Sequence, residues 1–459
     1  MTSPNPSKGS SEAGYTEPEV SRVLEDGTLI ELVYDAADQS TGFVVADGDG
    51  WRMENQLRLK SGATLVPYSP RNNLIRSGAV LLPSRPVEYG TESELVASIQ
   101  RFIHQLVGVS DRFERIATYY VLLSWVYDRF NELPYLRVRG DYGTGKTRFL
   151  LAVGSLCYKP IFASGASTVA PLFRALDAFR GTLIIDEADF RMSDEKAEIV
   201  KILNNGNMQG LPILRVEVSP QREFNPRAFQ VFGPKLVATR SSYEDPALES
   251  RFITEDMRTQ GLRPDIPISL PASTRGEALE LRNKLLLYRL RNYTRVTLDP
   301  NLIDRSIEPR LSQILAPLLS VSNDEAFRRD VLELARDYDR DLRRDRGTAI
   351  EVQVLSVIRR ILSTGSSGVV SIKDIADRLA EEEPLDHPFV SAKSVGVVVR
   401  RRLGLTTQKS RGVFVIPASE RTRLERLFER FGVSEEAPLL SPEDHNASEV
   451  SNESVPPEA

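Results

Sequence analysis

A single cysteine, Cys157, excludes an internal disulfide in this 459-residue chain, and three histidines at 104, 387 and 445 are too scattered to form a zinc ligand set. A reducing, cytoplasmic setting is the one this usage fits. No run approaches the roughly 20 unbroken apolar residues of a membrane span. Met1 to Ser11 is polar and lacks the apolar core of a signal peptide, so neither insertion nor export is expected. The hydrophobic content of 41% is enough to bury a sizeable core, and the length is a prior for two to four domains.

The formal net charge of -5 argues against a nucleic-acid partner only if the charge is evenly spread, and it is not. Residues 434–459 carry seven acids and no Lys or Arg among Ser, Pro and Asn, the composition of a disordered acidic tail. The remainder is closer to neutral and holds basic regions. A Ser/Pro-rich start, residues 1–19, is also expected to be disordered. Residues 20–86 then read as a small β-rich module with strands at Gly27 to Tyr34, Gly42 to Ala46 and Ala63 to Pro67. Asp47-Gly-Asp-Gly50 within it is a hairpin turn, since no calcium-loop spacing follows.

From Thr91 the apolar spacing becomes helical through Leu95, Ile99, Ile103 and Leu106, then Phe113, Ile116, Tyr120, Leu123 and Tyr127. Strands are expected at Tyr135 to Arg139, Ile161 to Ala163, Thr182 to Asp186, Lys235 to Thr239 and Phe252 to Asp256. Alternation of these with helices predicts a three-layer α/β sheet over 91–265. Three helices without strands, as a lid, are expected over 266–345, a further compact unit over 349–432, and the acidic tail over 433–459.

Gly140-Asp-Tyr-Gly-Thr-Gly145-Lys146-Thr147 matches every fixed position of the phosphate-binding loop, after a strand and before a helix from Lys146 to Cys157. Gly140, Tyr142, Gly143, Thr144, Gly145 and Arg148 frame the phosphates. Lys146 reaches the β/γ oxygens of ATP and the Thr147 hydroxyl ligates Mg²⁺. Leu183-Ile-Ile-Asp186-Glu187 is an apolar strand ending in two acids. Asp186 is placed to hold Mg²⁺ through water and Glu187 to polarise a water for in-line attack on the γ-phosphate. Thr239, ending the fourth strand, is a candidate for orienting that water. Arg251, just before the last strand, is placed to act in a neighbouring subunit's site, and Arg310 to reach the γ-phosphate from the helical lid.

GDYGTGKT, TLIIDEAD, Glu198 to Gly206, Pro234 to Thr239 and Leu248-Glu-Ser-Arg251-Phe252 together resemble AAA+ P-loop motors, and within them the helicase modules of phage and plasmid primase-helicase proteins. The resemblance covers about residues 91–343. It implies ring assembly, with Arg251 donated across the subunit interface. Thr239 departs from the Asn common at that position, and no primase motif precedes the core.

Ile213 to Val218 and Ala228 to Phe232 read as a β-hairpin whose tip carries Arg222 and Arg227. In motors of the resembled kind such a hairpin grips the phosphates of DNA in a central channel. The unit over 349–432 has helices at Ile350 to Leu362, Ser371 to Leu379 and Ser391 to Arg402, then a hairpin around Ser410-Arg411. It resembles a winged helix, with Lys393, Arg400, Arg401, Arg402, Lys409 and Arg411 on the third helix and wing as a DNA-facing set. Two readings share this ATP site: a ring-forming helicase or translocase on single-stranded or forked DNA, and an ATP-dependent loader or replication initiator that recruits replication proteins. A metabolic kinase, a third class, is disfavoured by the acidic pair and the basic C-terminal unit.

Overall fold

A computed structural model describes residues 15–433 except 49, 165–166, 189–193, 217–225, 244, 259–262, 348–349, 365–368, 383–390 and 411. Arg222, Arg411 and the acidic tail of the sequence reading lie outside the described residues. Two compact units divide between Ala335 and Arg336.

The first unit begins with strands β1 (Thr16–Glu19), β2 (Ser21–Val23), β3 (Leu29–Asp35), β4 (Ser40–Asp47), β5 (Gly50–Glu54), β6 (Leu57–Arg58) and β7 (Thr64–Pro67), followed by α1 (Asn73–Arg76). They form an antiparallel sheet in the order β2-β3-β4-β5 and a three-stranded one, β1-β7-β6. β4 and β5 make the expected hairpin, with Asp47 paired to Gly50. The expectation of disorder over 1–19 fails at Thr16–Glu19. Thr-Glu-Pro-Glu has no apolar alternation to signal a strand, yet it pairs in parallel with β7, and Glu17 and Glu19 both bind the Arg22 guanidinium.

Two helices, α2 (Glu92–Leu106) and α3 (Asp111–Trp125), lead into the central sheet. A Thr91–Glu94 capping box starts α2, and Leu95, Ile99, Phe102, Ile103 and Leu106 form its buried stripe. Next come β8 (Tyr135–Arg139), α4 (Lys146–Gly154), β9 (Ile161–Ser164), α5 (Val169–Phe179), β10 (Leu183–Asp186), α6 (Asp194–Asn205), β11 (Ile213–Val216), β12 (Pro226–Phe229), β13 (Lys235–Thr239), α7 (Pro246–Glu249) and β14 (Phe252–Asp256). The sheet order is β14-β8-β13-β10-β9, with every pairing parallel. In such a sheet the loops at the carboxyl ends of neighbouring strands gather at one edge, where ligands bind. Helices α8 (Thr274–Asn292), α9 (Pro309–Ser320) and α10 (Glu325–Gly347) follow, and α10 runs across the division between units.

A buried charge network fastens the β module to this core. The Glu31 carboxylate on β3 accepts from Tyr158 Oη at 2.8 Å, Lys159 Nζ at 2.8 Å and Arg289 Nε at 2.7 Å. Arg289, on α8, also grips Asp128 at 2.8 and 2.9 Å and donates to the Trp125 carbonyl at 2.6 Å. Glu31, Lys159 and Arg289 are all under 3% exposed, so each charge depends on the others. Lys235, opening β13, is also fully buried and donates to the carbonyls of Val231, Gly233 and Gly206. Burial pulls its pKa down from 10.5 to about 7.

The second unit contains α11 (Ile350–Thr364), β15 (Val370–Ser371), α12 (Ile372–Glu382), α13 (Ala392–Val397), β16 (Gln408–Ser410), β17 (Val413–Ile416) and α14 (Arg421–Phe431). Its three-stranded antiparallel sheet has the order β15-β17-β16. Val354, Leu355, Ile358, Ile375, Val399 and Phe428 form its own core. The helix expected from Ser391 to Arg402 ends as regular α-helix at Val397 and continues as a wider turn over Val398–Arg402.

Glu31→Gln leaves Lys159 and Arg289 short of a buried counter-charge and is expected to lower stability by about 3–5 kcal/mol in urea unfolding; a loss under ~1 kcal/mol would remove the network from the account of the fold. For Lys235 the unfolded chain keeps its proton up to pH 10.5 while the folded chain releases it from about 7. The unfolded state therefore binds more protons in that window, and stability rises with pH there, by up to about 1.4 kcal/mol per pH unit. Comparing unfolding midpoints of the parent and Lys235→Met from pH 7 to 9 checks this, the variant being expected to show the flatter profile.

Candidate nucleotide site

The loop between β8 and α4 turns sharply because two of its residues take left-handed backbone angles: Gly143 at φ +81° and Gly145 at φ +90°, the latter directly before α4. Gly140 has no room for a side chain, since a Cβ there would meet Thr144 Oγ1 at 2.7 Å. Its N–H donates to the Thr239 carbonyl at 3.1 Å, which ties the loop to β13. Thr144 Oγ1 donates to the Asp141 carbonyl at 3.0 Å. Lys146 Nζ folds back to the carbonyls of Gly140 at 2.7 Å and Asp141 at 2.6 Å, inside the concavity of the loop.

The acidic pair arrives from β10. Thr147 Oγ1 donates to Asp186 Oδ2 at 2.6 Å, so two segments 39 residues apart meet at hydrogen-bond distance. The other carboxylate oxygen, Oδ1, accepts the Glu187 N–H at 2.9 Å. Glu187 itself is exposed and sits at φ +55°, a region that non-glycine residues seldom occupy and that clusters at functional sites. Arg240 lies 3.7 Å from its carboxylate. Thr239 is fully buried, and its Oγ1 has no hydrogen-bond partner among the described residues.

Hydroxyl and carboxylate oxygens side by side are the hard donor set that Mg²⁺ prefers, and the ammonium of Lys146 over a glycine turn at a helix N-terminus suits a polyphosphate. Residues and groups therefore fit. The loop after β13 is braced on both sides, by Arg139 reaching Ser242 and Asp256, and by Tyr243 Oη donating to the Ala188 carbonyl at 3.4 Å. Arg148, expected to face the phosphates, donates instead to the carbonyls of Pro267 and Ile268, because as the third residue of α4 it points at the segment leading to α8. The Tyr142 ring is almost fully exposed, so only the backbone of that residue shapes the loop.

Arg251 keeps its expected place directly before β14, whereas Arg310 stands away from the phosphate loop. Arg251 is buried at the opposite edge of the sheet, where its carbonyl accepts from the N–H of Tyr135, the first residue of β8. Its guanidinium is held by Asn207 Oδ1 at 2.9 Å, the Asn204 carbonyl at 3.1 Å and the Ala247 carbonyl. Burial, and then the positive charge of Arg310, hold its pKa below the usual arginine range. Arg310 thus lies with Arg251. The five residues of β8 separate this edge from the phosphate loop by about 16 Å, so Arg310 does not reach the chain's own γ-phosphate position.

The hairpin β11–β12 forms, but Arg227 lies within β12 rather than at the tip, opposite Arg215. Both pair with a carboxylate of the core: Arg227 with Asp177 at 3.1 Å, and Arg215 with Glu198. The outward residues are Leu214 and Val216. In the second unit Lys393, Arg400, Arg401, Arg402 and Lys409 are all exposed. Arg402 pairs with Glu351 at 3.0 Å, and the Arg400 guanidinium lies over the Phe414 ring at 5.7 Å. Sequence reasoning missed Arg240, whose one signal was its place directly after Thr239, and Glu249, which holds the buried Arg137.

Neither a family model nor a curated protein matches the chain. Among solved structures it is similar to the NrS-1 C-terminal region, at 11% identity over 84% of this chain and 95% of that one, with a TM-score of 0.35. It is similar also to the structure described as SCCmec type IV Cch, active helicase, at 11% identity over 83% and 79%, TM-score 0.35. A full-length MCM homologue from Methanopyrus kandleri matches at 12% identity over 70% and 76%, TM-score 0.36.

Asp186→Asn and Thr147→Ala each remove one oxygen donor from the meeting point. Each is expected to weaken nucleotide binding in the presence of Mg²⁺ by about tenfold or more, ~1.4 kcal/mol, and to change binding in EDTA little. Calorimetric titration of ATP with and without the metal checks this, and equal losses under both conditions would take the pair out of a metal site.

Proposed function

We propose that this chain is an ATP-hydrolysing DNA motor, a helicase or translocase of mobile-element type that works as a homo-oligomeric ring. One observation carries the reading: the Thr147 hydroxyl and the Asp186 carboxylate meet at 2.6 Å with Glu187 as the next residue, at the edge of a parallel sheet that also bears the phosphate loop. A protein that only bound nucleotide would have no use for a second, exposed carboxylate there.

In this reading Lys146 leaves the carbonyls of Gly140 and Asp141 for the oxygens of the triphosphate. Thr147 and Asp186 would hold Mg²⁺, which would supply charge neutralisation to the triphosphate. Glu187 accepts a proton from a water aligned with the γ-phosphorus, and Thr239, at the end of β13, is the candidate to orient that water once the site is occupied. The new oxygen–phosphorus bond forms as the bond to the β–γ bridging oxygen breaks, releasing ADP and phosphate. Arg310 stands at the edge opposite the chain's own loop, so it acts on a triphosphate only across a subunit boundary, which would tie hydrolysis to ring assembly, while Arg251, buried and bonded within its own chain, braces that edge.

The second unit supplies the DNA contact. Helices α11, α12 and α13 with the sheet β15-β17-β16 have the element order of a winged helix, and Lys393, Arg400, Arg401 and Lys409 offer phosphate-neutralising charge on its third helix and wing.

Glu187→Gln is expected to keep nucleotide affinity and lower kcat by about 10²–10⁴-fold, and Lys146→Ala to lose nucleotide binding. Steady-state ATPase with and without single-stranded DNA, alongside strand displacement on a forked substrate, checks the motor reading. A parent rate that DNA does not change would overturn it. DNA-stimulated hydrolysis without displacement would instead favour a loader or initiator.

A further inference from the structure

The second unit presents an exposed face on which positive charge and apolar surface alternate. Lys393, Arg401 and Lys409 are exposed and have no carboxylate partner among the described residues. Arg400 lies over the half-exposed ring of Phe414. Val397, one helical turn before Arg400 and Arg401, is 41% exposed. Uncompensated cations around an aromatic and a valine fit an anionic ligand that also brings apolar groups, more closely than they fit a bare phosphate chain.

The same chain carries such a segment. Glu435-Glu-Ala-Pro-Leu-Leu-Ser-Pro-Glu-Asp444 sets two leucines between two acidic pairs, and residues 434–459 contain no Lys or Arg. Its point of departure is fixed. The Val433 N–H donates to the Phe428 carbonyl at 3.0 Å, and the Val433 carbonyl accepts from Arg359. α14 leads to this point from Glu420, which accepts from Thr406 beside β16. Eleven helical residues make α14 about 16 Å long. The eleven residues after Val433, as far as Asp444, span up to about 36–40 Å when extended, enough to return along α14 to the wing.

We propose that Glu435–Asp444 docks on the face around Arg400, Arg401 and Phe414, its acidic pairs on the cations and Leu439 and Leu440 on Val397 and Phe414. Docked there, it competes with nucleic-acid phosphate for the same charges and so sets a threshold for DNA binding. The docking stands on charge complementarity and reach alone; the competition rests on reading this face as the DNA contact.

Two measurements separate these. A labelled peptide of residues 434–459, titrated into the chain ended at Val433, is expected to bind saturably, to weaken with salt, and to lose binding in Arg400→Glu/Arg401→Glu. Binding of a short DNA duplex is then compared among the parent, the chain ended at Val433, and a full-length variant with Glu435→Gln, Glu436→Gln, Glu443→Gln and Asp444→Asn. The last two are expected to bind on the order of tenfold more tightly than the parent at low salt, the gap closing as salt rises. Absence of saturable peptide binding overturns the docking. Peptide binding with equal duplex affinities in all three proteins overturns the competition. Peptide binding with no duplex binding by any of them keeps the docking and removes the DNA reading of this face.

Discussion

The close seating of α4 on the central sheet is the constraint on which the site depends. β8, which carries the phosphate loop, is not adjacent to β10, which carries the acids: β13 lies between them, a separation of about 10 Å at the ordinary strand spacing. Thr147 meets Asp186 only because α4 crosses over β13 toward β10. Gly154 makes that crossing possible, since a Cβ at the end of α4 would collide with the Ile184 side chain on β10. Parallel pairing then holds the loop, the acids and Thr239 at one edge. A glycine at the far end of the helix therefore bears on the Thr147–Asp186 contact nearly as directly as those in the loop.

Around this sheet the chain uses cations as internal fasteners. Arg289 and Lys159 converge on Glu31, Arg137 on Glu249, Lys235 on three carbonyls, and Arg251 on Asn204, Asn207 and Ala247. Each is buried and takes its compensation from its own chain. The β module consequently shares a buried charge cluster with the core and with α8, although sequence alone marks it off as a separate module.

What was legible in the sequence follows from periodicity and punctuation. The strands Lys235–Thr239 and Phe252–Asp256 have the bounds expected from their apolar runs, and the glycine loop and acidic pair meet as their spacing implied. The strand Thr16–Glu19 was illegible because polar residues and a proline form it through pairing at a sheet edge, a tertiary effect with no local pattern. Side-chain direction was illegible for the same reason. Arg227, Arg251 and Arg310 occupy elements close to those expected, but whether an arginine faces a ligand or a carbonyl of its own chain depends on partners far away in sequence, such as Asp177 and Asn207.

This also alters what the net charge says about a nucleic-acid partner. A sum of -5 weighs a buried arginine and an exposed one alike. Arg137, Arg251, Arg282 and Arg289 are buried and cannot touch a phosphate at the surface. Arg215 and Arg227, on the hairpin that seemed the better candidate for a basic grip, are neutralised by Glu198 and Asp177. Among the described basic residues singled out in the second unit, Arg402 alone is paired with a described carboxylate, Glu351. Attraction for an anion decays within about 10 Å at ordinary ionic strength, so the local excess governs rather than the total. If the cationic surface of the second unit holds a polyanion, as proposed above, an acidic segment of the same chain that starts from Val433 is a competitor present at high effective concentration.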